Sequence, residues 1–184
     1  MPNCENEFLS NANLRRAISS AIDRDTMVNS ILNDGSVVAT GYVLQDFGKG
    51  PDGKYFRETA PSYTFTDKEK AVEYWELAKE ELGTDAVTFT LLYEDSESAS
   101  NVAAFIQSEI ETTLPGVTVE MQSVPKKVRL ENMQNFDFDL ALNRWGADYD
   151  DPMRFELYTS DRFANSNYGR WVNEEFDSLI YSAR

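Results

Sequence analysis

Apolar residues recur along this chain with two periods, and where one gives way to the other the backbone is expected to change form. Leu14, Ala17, Ile18, Ala21 and Ile22 stand at helical spacing. They predict a helix from Asn13 to Ile22, with Arg15, Arg16 and Ser19 on its solvent face and Asn11 or Asn13 as its N-cap. Asp23 is positioned to cap a second short helix that buries Met27, Val28, Ile31 and Leu32 and stops at Asn33-Asp34-Gly35. From Val37 to Tyr63 the period is lost among glycines and prolines, and Tyr42, Phe47, Tyr55, Phe56 and Tyr63 are expected to anchor a long, packed connection. Thr66-Asp67-Lys68-Glu69 reads as a capping box for a helix whose Ala71, Trp75, Ala78 and Leu82 share one face before Gly83 ends it, with Trp75 in the core.

Strand and helix patterns then alternate. Val87 to Tyr93 is a strand rich in β-branched and aromatic residues; Ala99, Ala103, Ile106 and Ile110 mark a helix ending before Pro115-Gly116; Val117 to Met121 is the next strand. Such a run predicts a parallel pair joined by a right-handed crossover. Pro125 opens a helix running to Met133. Phe136, Phe138, Leu140 and Leu142 next alternate with Asp137, Asp139 and Ala141, as in a strand with one face on a core. The strand breaks at Asn143-Arg144-Trp145-Gly146-Ala147-Asp148-Tyr149-Asp150-Asp151-Pro152, where Gly146 lets the backbone turn and Pro152 suits the first turn of a helix. A short helix through Phe155 and Leu157, a polar loop from Asp161 to Trp171 and a helix capped by Asn173, with Phe176, Leu179 and Ile180 inward, complete the order. Open α/β sheets bind ligands where a strand ends and hands over to a helix, so Asp148 is the first candidate.

Composition narrows the chemistry. With 184 residues, 41% of them hydrophobic, the chain has enough apolar sequence for one domain spanning 1–184. Seventeen basic against thirty-two acidic residues leave a net charge of −15. That balance opposes nucleic acid, whose phosphates need clustered Lys and Arg, and favours a cationic or zwitterionic partner. The absence of histidine removes the commonest general base and metal ligand, so neither Ser-His-Asp chemistry, a metal nor another cofactor is expected. The lone Cys4 cannot form an internal disulfide. No stretch has the length and hydrophobicity of a transmembrane span, so no direct membrane insertion is expected. Structured sequence from the first residues, and an end inside a helical pattern, read as a piece of a larger protein.

Three stretches resemble the extracytoplasmic solute-binding proteins of peptide-type ABC importers, the oligopeptide- and dipeptide-binding class of family 5. They are Asn13-Leu14-Arg15-Arg16-Ala17-Ile18-Ser19-Ser20-Ala21-Ile22-Asp23-Arg24, then Phe136-Asp137-Phe138-Asp139-Leu140 running into Trp145-Gly146-Ala147-Asp148-Tyr149-Asp150-Asp151-Pro152, and Asn167-Tyr168 followed by Glu175-Phe176-Asp177-Ser178-Leu179-Ile180. The second is the most specific, and their order spans nearly the whole chain. The resemblance implies an α/β fold with a mixed sheet flanked by helices, the carboxyl-side lobe of a type II periplasmic-binding-protein-like clamp whose other lobe is absent here. It also implies a non-enzymatic role: capture of short peptides by a surface lipoprotein or periplasmic protein, and delivery to the permease of an ABC transporter. In that family the aspartate of the Trp-x-x-Asp pattern, here Asp148, receives the peptide's α-amino group. The backbone of Asn143 to Ala147, including Gly146, pairs with the extended peptide, and Trp145 walls a roomy side-chain pocket.

Plainer readings compete at several positions. Asp150 and Asp151 fit a solvated acidic turn near a helix N-terminus. A calcium loop lacks a glycine at its sixth place and carries Thr159 where a bidentate Glu belongs. Trp145 fits equally beneath the sheet end. Asn167 and Tyr168 suit a loop-ordering hydrogen bond, and Arg15 and Arg16 a solvated face. The same family carries dipeptides, oligosaccharides and nickel chelates. A stand-alone acidic α/β interaction or enzyme domain is the alternative of another class, and it requires a completed cleft with convergent acid-base groups.

Overall fold

The computed structural model describes residues 1–144, 146, 158–160 and 166–182. Helix α1 (Ala12–Ala21) starts where the Asn11 side chain accepts the N–H of Leu14, and its Leu14, Ala17, Ile18 and Ala21 are buried as their spacing requires. Asp23 caps α2 (Arg24–Thr26), which widens into a π-helical turn (Met27–Leu32) closed by Asn33 in the left-handed conformation. Only Val28 of that turn is buried; Met27, Ile31 and Leu32 cover the edge of the core. After α3 (Phe56–Thr59), helix α4 (Lys68–Leu82) lies along α1 and ends at Gly83, whose φ of 69° suits a residue without a Cβ. Trp75 is fully buried, and its indole N–H donates to the Pro115 carbonyl at 2.8 Å, latching α4 to the start of the second strand.

That strand belongs to a β-α-β unit. Strand β1 (Val87–Glu94), helix α5 (Glu97–Thr113) and strand β2 (Val117–Val124) follow in order, and the two strands pair in parallel from Val87 beside Val117 to Glu94 beside Val124. Helix α6 (Lys126–Gln134) leads to the short strand β3 (Leu140–Ala141), parallel to β1 on its other side, which gives the order β2-β1-β3. An antiparallel bridge between Pro2 and Leu140 makes the sheet mixed at that edge. Phe89 and Leu91 face the main core, where α1, α4 and α5 pack. Leu92 and Ala141 face a smaller one with Met133 of α6 and Phe138. Helix α7 (Glu174–Ser182) closes the order, with the Asn173 side chain accepting the Phe176 N–H.

Four local expectations change. The strand predicted from Phe136 to Leu142 pairs with β1 only at Leu140 and Ala141, because Phe136 takes a left-handed φ of 59° and the Asn3 amide holds the carbonyls of Phe136 and Phe138. Phe138 and Leu140 therefore fill opposite cores instead of sharing a face. The cap of α4 is Asp67, while the Thr66 hydroxyl donates to the Ile22 carbonyl and ties α4 to α1. In the long connection Phe47 alone of the five expected anchors is buried; Tyr42, Phe56 and Tyr63 are exposed. Leu179 of α7 is 62% exposed rather than inward among the described residues. The helix expected after Pro152 and the residues 161–165 of the polar loop lie outside the described residues.

Candidate functional site

The C-terminal edge of the parallel sheet gathers three chain reversals. β1 ends at Glu94 and turns into α5, whose first turn is capped by the Ser96 hydroxyl; β2 ends at Val124 and turns through Pro125 into α6; β3 ends at Ala141 and runs on into the segment singled out by sequence. Parallel strands place helix N-termini and departing loops together at this edge, where ligands of such sheets bind.

Leu142 is the last residue of that segment held by the sheet, its N–H donating to the Leu92 carbonyl at 2.8 Å. Beyond it the main chain of Asn143, Arg144 and Gly146 makes no backbone hydrogen bond to another described residue. Arg144 and Gly146 are exposed, and a Cβ on Gly146 would meet no heavy atom of another described residue within 4 Å. The Arg144 guanidinium reaches across to the Ser98 hydroxyl in the first turn of α5 at 3.3 Å. Among the described residues, Asn143, Arg144 and Gly146 thus leave main-chain groups unpaired beside the sheet end, as an added extended peptide requires. Of the expected ligand residues, Asn143 and Gly146 are placed at this edge; Trp145, Ala147 and Asp148 lie outside the described residues, as do Asp150 and Asp151.

Beneath the segment sits a residue the sequence reading did not single out. Arg129 of α6 is 4% exposed, and its Nη1 donates to Asn143 Oδ1 at 2.6 Å and to the Leu142 carbonyl at 3.5 Å. Its Nη2 meets Glu94 Oε2 at 3.5 Å. The available signal was its place on α6, one turn before the buried Met133 and on the same face. A cation on the apolar side of an amphipathic helix calls for an internal acceptor.

Asn167 is buried, and its side-chain amide donates to the Trp171 carbonyl at 2.6 Å, ordering the loop before α7 as the plainer reading expected. Arg15 spends its guanidinium on the carbonyls of Leu9 and Ser10, both at 2.7 Å, and Arg16 lies over the Tyr74 ring. The half-buried Cys4 thiol is pushed up in pKa by burial. A cavity of about 220 Å³ lies on the α1 side of β3, and its lining includes Ile18, Ile22, Leu91, Leu140, Arg15 and Arg24; among the described residues no carboxylate lines it. Among the described residues no group of three Asp, Glu or Cys is arranged to hold a metal, and no helix is long and apolar enough to cross a membrane.

Comparison with known proteins places these features in a family context. Residues 1–166 match the family described as bacterial extracellular solute-binding proteins, family 5 Middle. The dipeptide-binding protein of Lactococcus lactis subsp. cremoris (strain MG1363) is 32% identical over 177 residues, which are 95% of this chain and 32% of that protein. The oligopeptide-binding protein OppA of Bacillus subtilis (strain 168) is 26% identical over 186 residues, 97% of this chain and 32% of that protein. Among solved structures, the peptide-binding protein of a peptide ABC transporter superposes with a TM-score of 0.93 at 42% identity, over 99% of this chain and 81% of that one. Listeria monocytogenes OppA bound to peptide superposes with a TM-score of 0.89 at 32% identity, over 94% of this chain and 34% of that one. The chain spans about a third of the length of the curated relatives it matches.

Proposed function

This chain belongs to the bacterial extracellular solute-binding proteins of family 5, and we propose that it is the ligand-binding lobe of an ABC-importer substrate-binding protein that captures short peptides and delivers them to a membrane permease. Residues 1–184 form the carboxyl-side lobe of a clamp; the partner lobe belongs to the remaining two thirds of a protein as long as the curated relatives. The protein binds its cargo and does no chemistry on it. It works outside the cytoplasmic membrane, as a surface lipoprotein or in the periplasm.

The observation that carries this reading is the main chain of Asn143, Arg144 and Gly146 at the sheet's C-terminal edge, which makes no backbone hydrogen bond among the described residues. A peptide laid beside it takes up main-chain hydrogen bonds that read no side chain, which suits a carrier of varied sequences. Asp148 receives the peptide's α-amino group, the backbone of Asn143 to Ala147 pairs with the peptide, and Trp145 walls a roomy side-chain pocket. An ammonium-carboxylate bond in a closed cleft contributes roughly 1.5–3 kcal/mol, and removing one partner costs about 3–5 kcal/mol because the other charge is stranded.

The test is calorimetry on the two-lobed protein with a pool of tetra- and pentapeptides, comparing free and acetylated amino termini, alongside Asp148→Ala. Binding should require the free amine and fall at least about 100-fold in the variant. Indifference to both changes would move the cargo to another solute carried by this family.

A further inference from the structure

Arg129 has donors and no acceptor, which dictates how the Asn143 amide must face it. The 2.6 Å bond from Nη1 therefore ends on Oδ1, and the Nδ2 amino group is turned away from the guanidinium. Among the described residues Asn143 Nδ2 donates to no group, and Asn143 itself is only half-buried at the sheet's C-terminal edge. Glu94 ends β1 and Asn143 lies two residues past the end of the adjacent parallel β3, each two residues beyond a residue of the smaller core that holds Met133 of α6, Leu92 and Ala141 respectively. Their side chains thus emerge on the same face, and Arg129 rises between them.

Neutralising Glu94 does not account for this arrangement. A guanidinium serving chiefly as counter-ion closes on the carboxylate, ideally with two short parallel bonds. Here Glu94 Oε2 stands at 3.5 Å, and the short bond goes to the neutral amide of Asn143. Arg129 Nε is buried with no partner among the described residues, so the Nη contacts set the position of the side chain. Such a buried cation removes the freedom of a half-buried asparagine to flip its amide.

We propose that Asn143 binds ligand through its side chain as well as its main chain: Nδ2 is a fixed hydrogen-bond donor to a main-chain carbonyl of the bound peptide, and Arg129 is the positioning residue that locks the amide in the donating orientation. The inference rests on the peptide-binding reading above. It adds a direction to the site, since a donor beside an open main chain selects which edge of the extended peptide faces the sheet end.

The decisive variant is Asn143→Asp. It keeps an oxygen for Arg129 but turns the outward donor into an acceptor, so the melting temperature should hold or rise while affinity for the same peptide pool falls about tenfold or more. A second variant, Glu94→Gln with Arg129→Met, removes both charges of the pair together so that neither is stranded. Its melting temperature should stay near that of the parent and its affinity should fall. Asn143→Asp binding peptides as the parent does, or the double variant keeping full affinity, overturns the donor role. If the parent itself binds no peptide, the peptide reading fails and this inference fails with it. A parent that binds while Asn143→Asp binds equally well sinks the inference alone.

Discussion

The carboxylate of Asp139 holds Thr90 by two bonds to one oxygen: Oδ2 accepts the Thr90 N–H at 2.8 Å and the Thr90 hydroxyl at 2.9 Å. Oδ1 accepts the Asn6 side-chain amide at 2.7 Å. Asp139 immediately precedes β3 and Thr90 lies within β1, so one side chain extends the ladder by a residue and ties the amino-terminal segment to it. Asp139→Ala should destabilise the chain by about 1–3 kcal/mol, because the Thr90 N–H loses its acceptor. Asp139→Asn should cost less, since one amide oxygen can still serve Thr90 while its NH2 opposes that of Asn6. Urea unfolding of the three proteins checks the order.

Trp75 makes a separable pair of contributions. Truncation to alanine empties a fully buried site and should cost about 3–5 kcal/mol. Trp75→Phe keeps most of the volume but leaves the Pro115 carbonyl without its donor, and should cost about 1–2 kcal/mol. Thermal melts of both variants resolve the packing part from the hydrogen bond.

Gly116 admits no side chain. Its φ is 96°, and a Cβ there would run into the Asp85 carbonyl oxygen of the segment leading into β1. Gly116→Ala should therefore lose about 1–3 kcal/mol from the backbone conformation alone, and more from displacing that segment. Hydrogen exchange should show the damage first at Val87, whose N–H donates to the Gly116 carbonyl at 3.0 Å.

Asp23 gives a pH-dependent contribution. Its carboxylate accepts the Thr26 hydroxyl at 2.7 Å and the Thr26 N–H at 3.1 Å, and these bonds hold it below the usual carboxylate range. The folded pKa lies below the unfolded one, so as pH falls the unfolded chain takes up its proton first. The contribution is complete above the unfolded value near 3.8 and is lost as pH drops through the folded value. Asp23→Ala should cost about 1 kcal/mol at neutral pH. Stability curves of the two proteins should converge in acid.

A clamp whose halves share one ligand loses closure and desolvation when halved. Residues 1–184 alone should accordingly bind peptides only in the millimolar range. Micromolar affinity measured by calorimetry on this chain would contradict the clamp.

The period of the apolar positions determined α1, α4 and α5, because each buries one face and Leu14, Trp75 and Ile110 can satisfy it in only one register, and the β-branched and aromatic runs determined β1 and β2. The break in alternation at Asn143 likewise marked where the chain leaves the sheet, since Leu142 is the last residue of that segment bonded to β1. Tertiary contacts decided the rest. β3 shrank to two residues because Asn3, more than a hundred positions away, claims the carbonyls that a longer strand would have paired. The role of Arg129 stayed hidden because its acceptors, Glu94 at the end of β1 and Asn143 just past β3, come from two other segments, and no local pattern records a partner that only strand pairing brings alongside. Periodicity reports which side of an element avoids water; which buried polar groups meet there depends on the packing of elements distant in sequence.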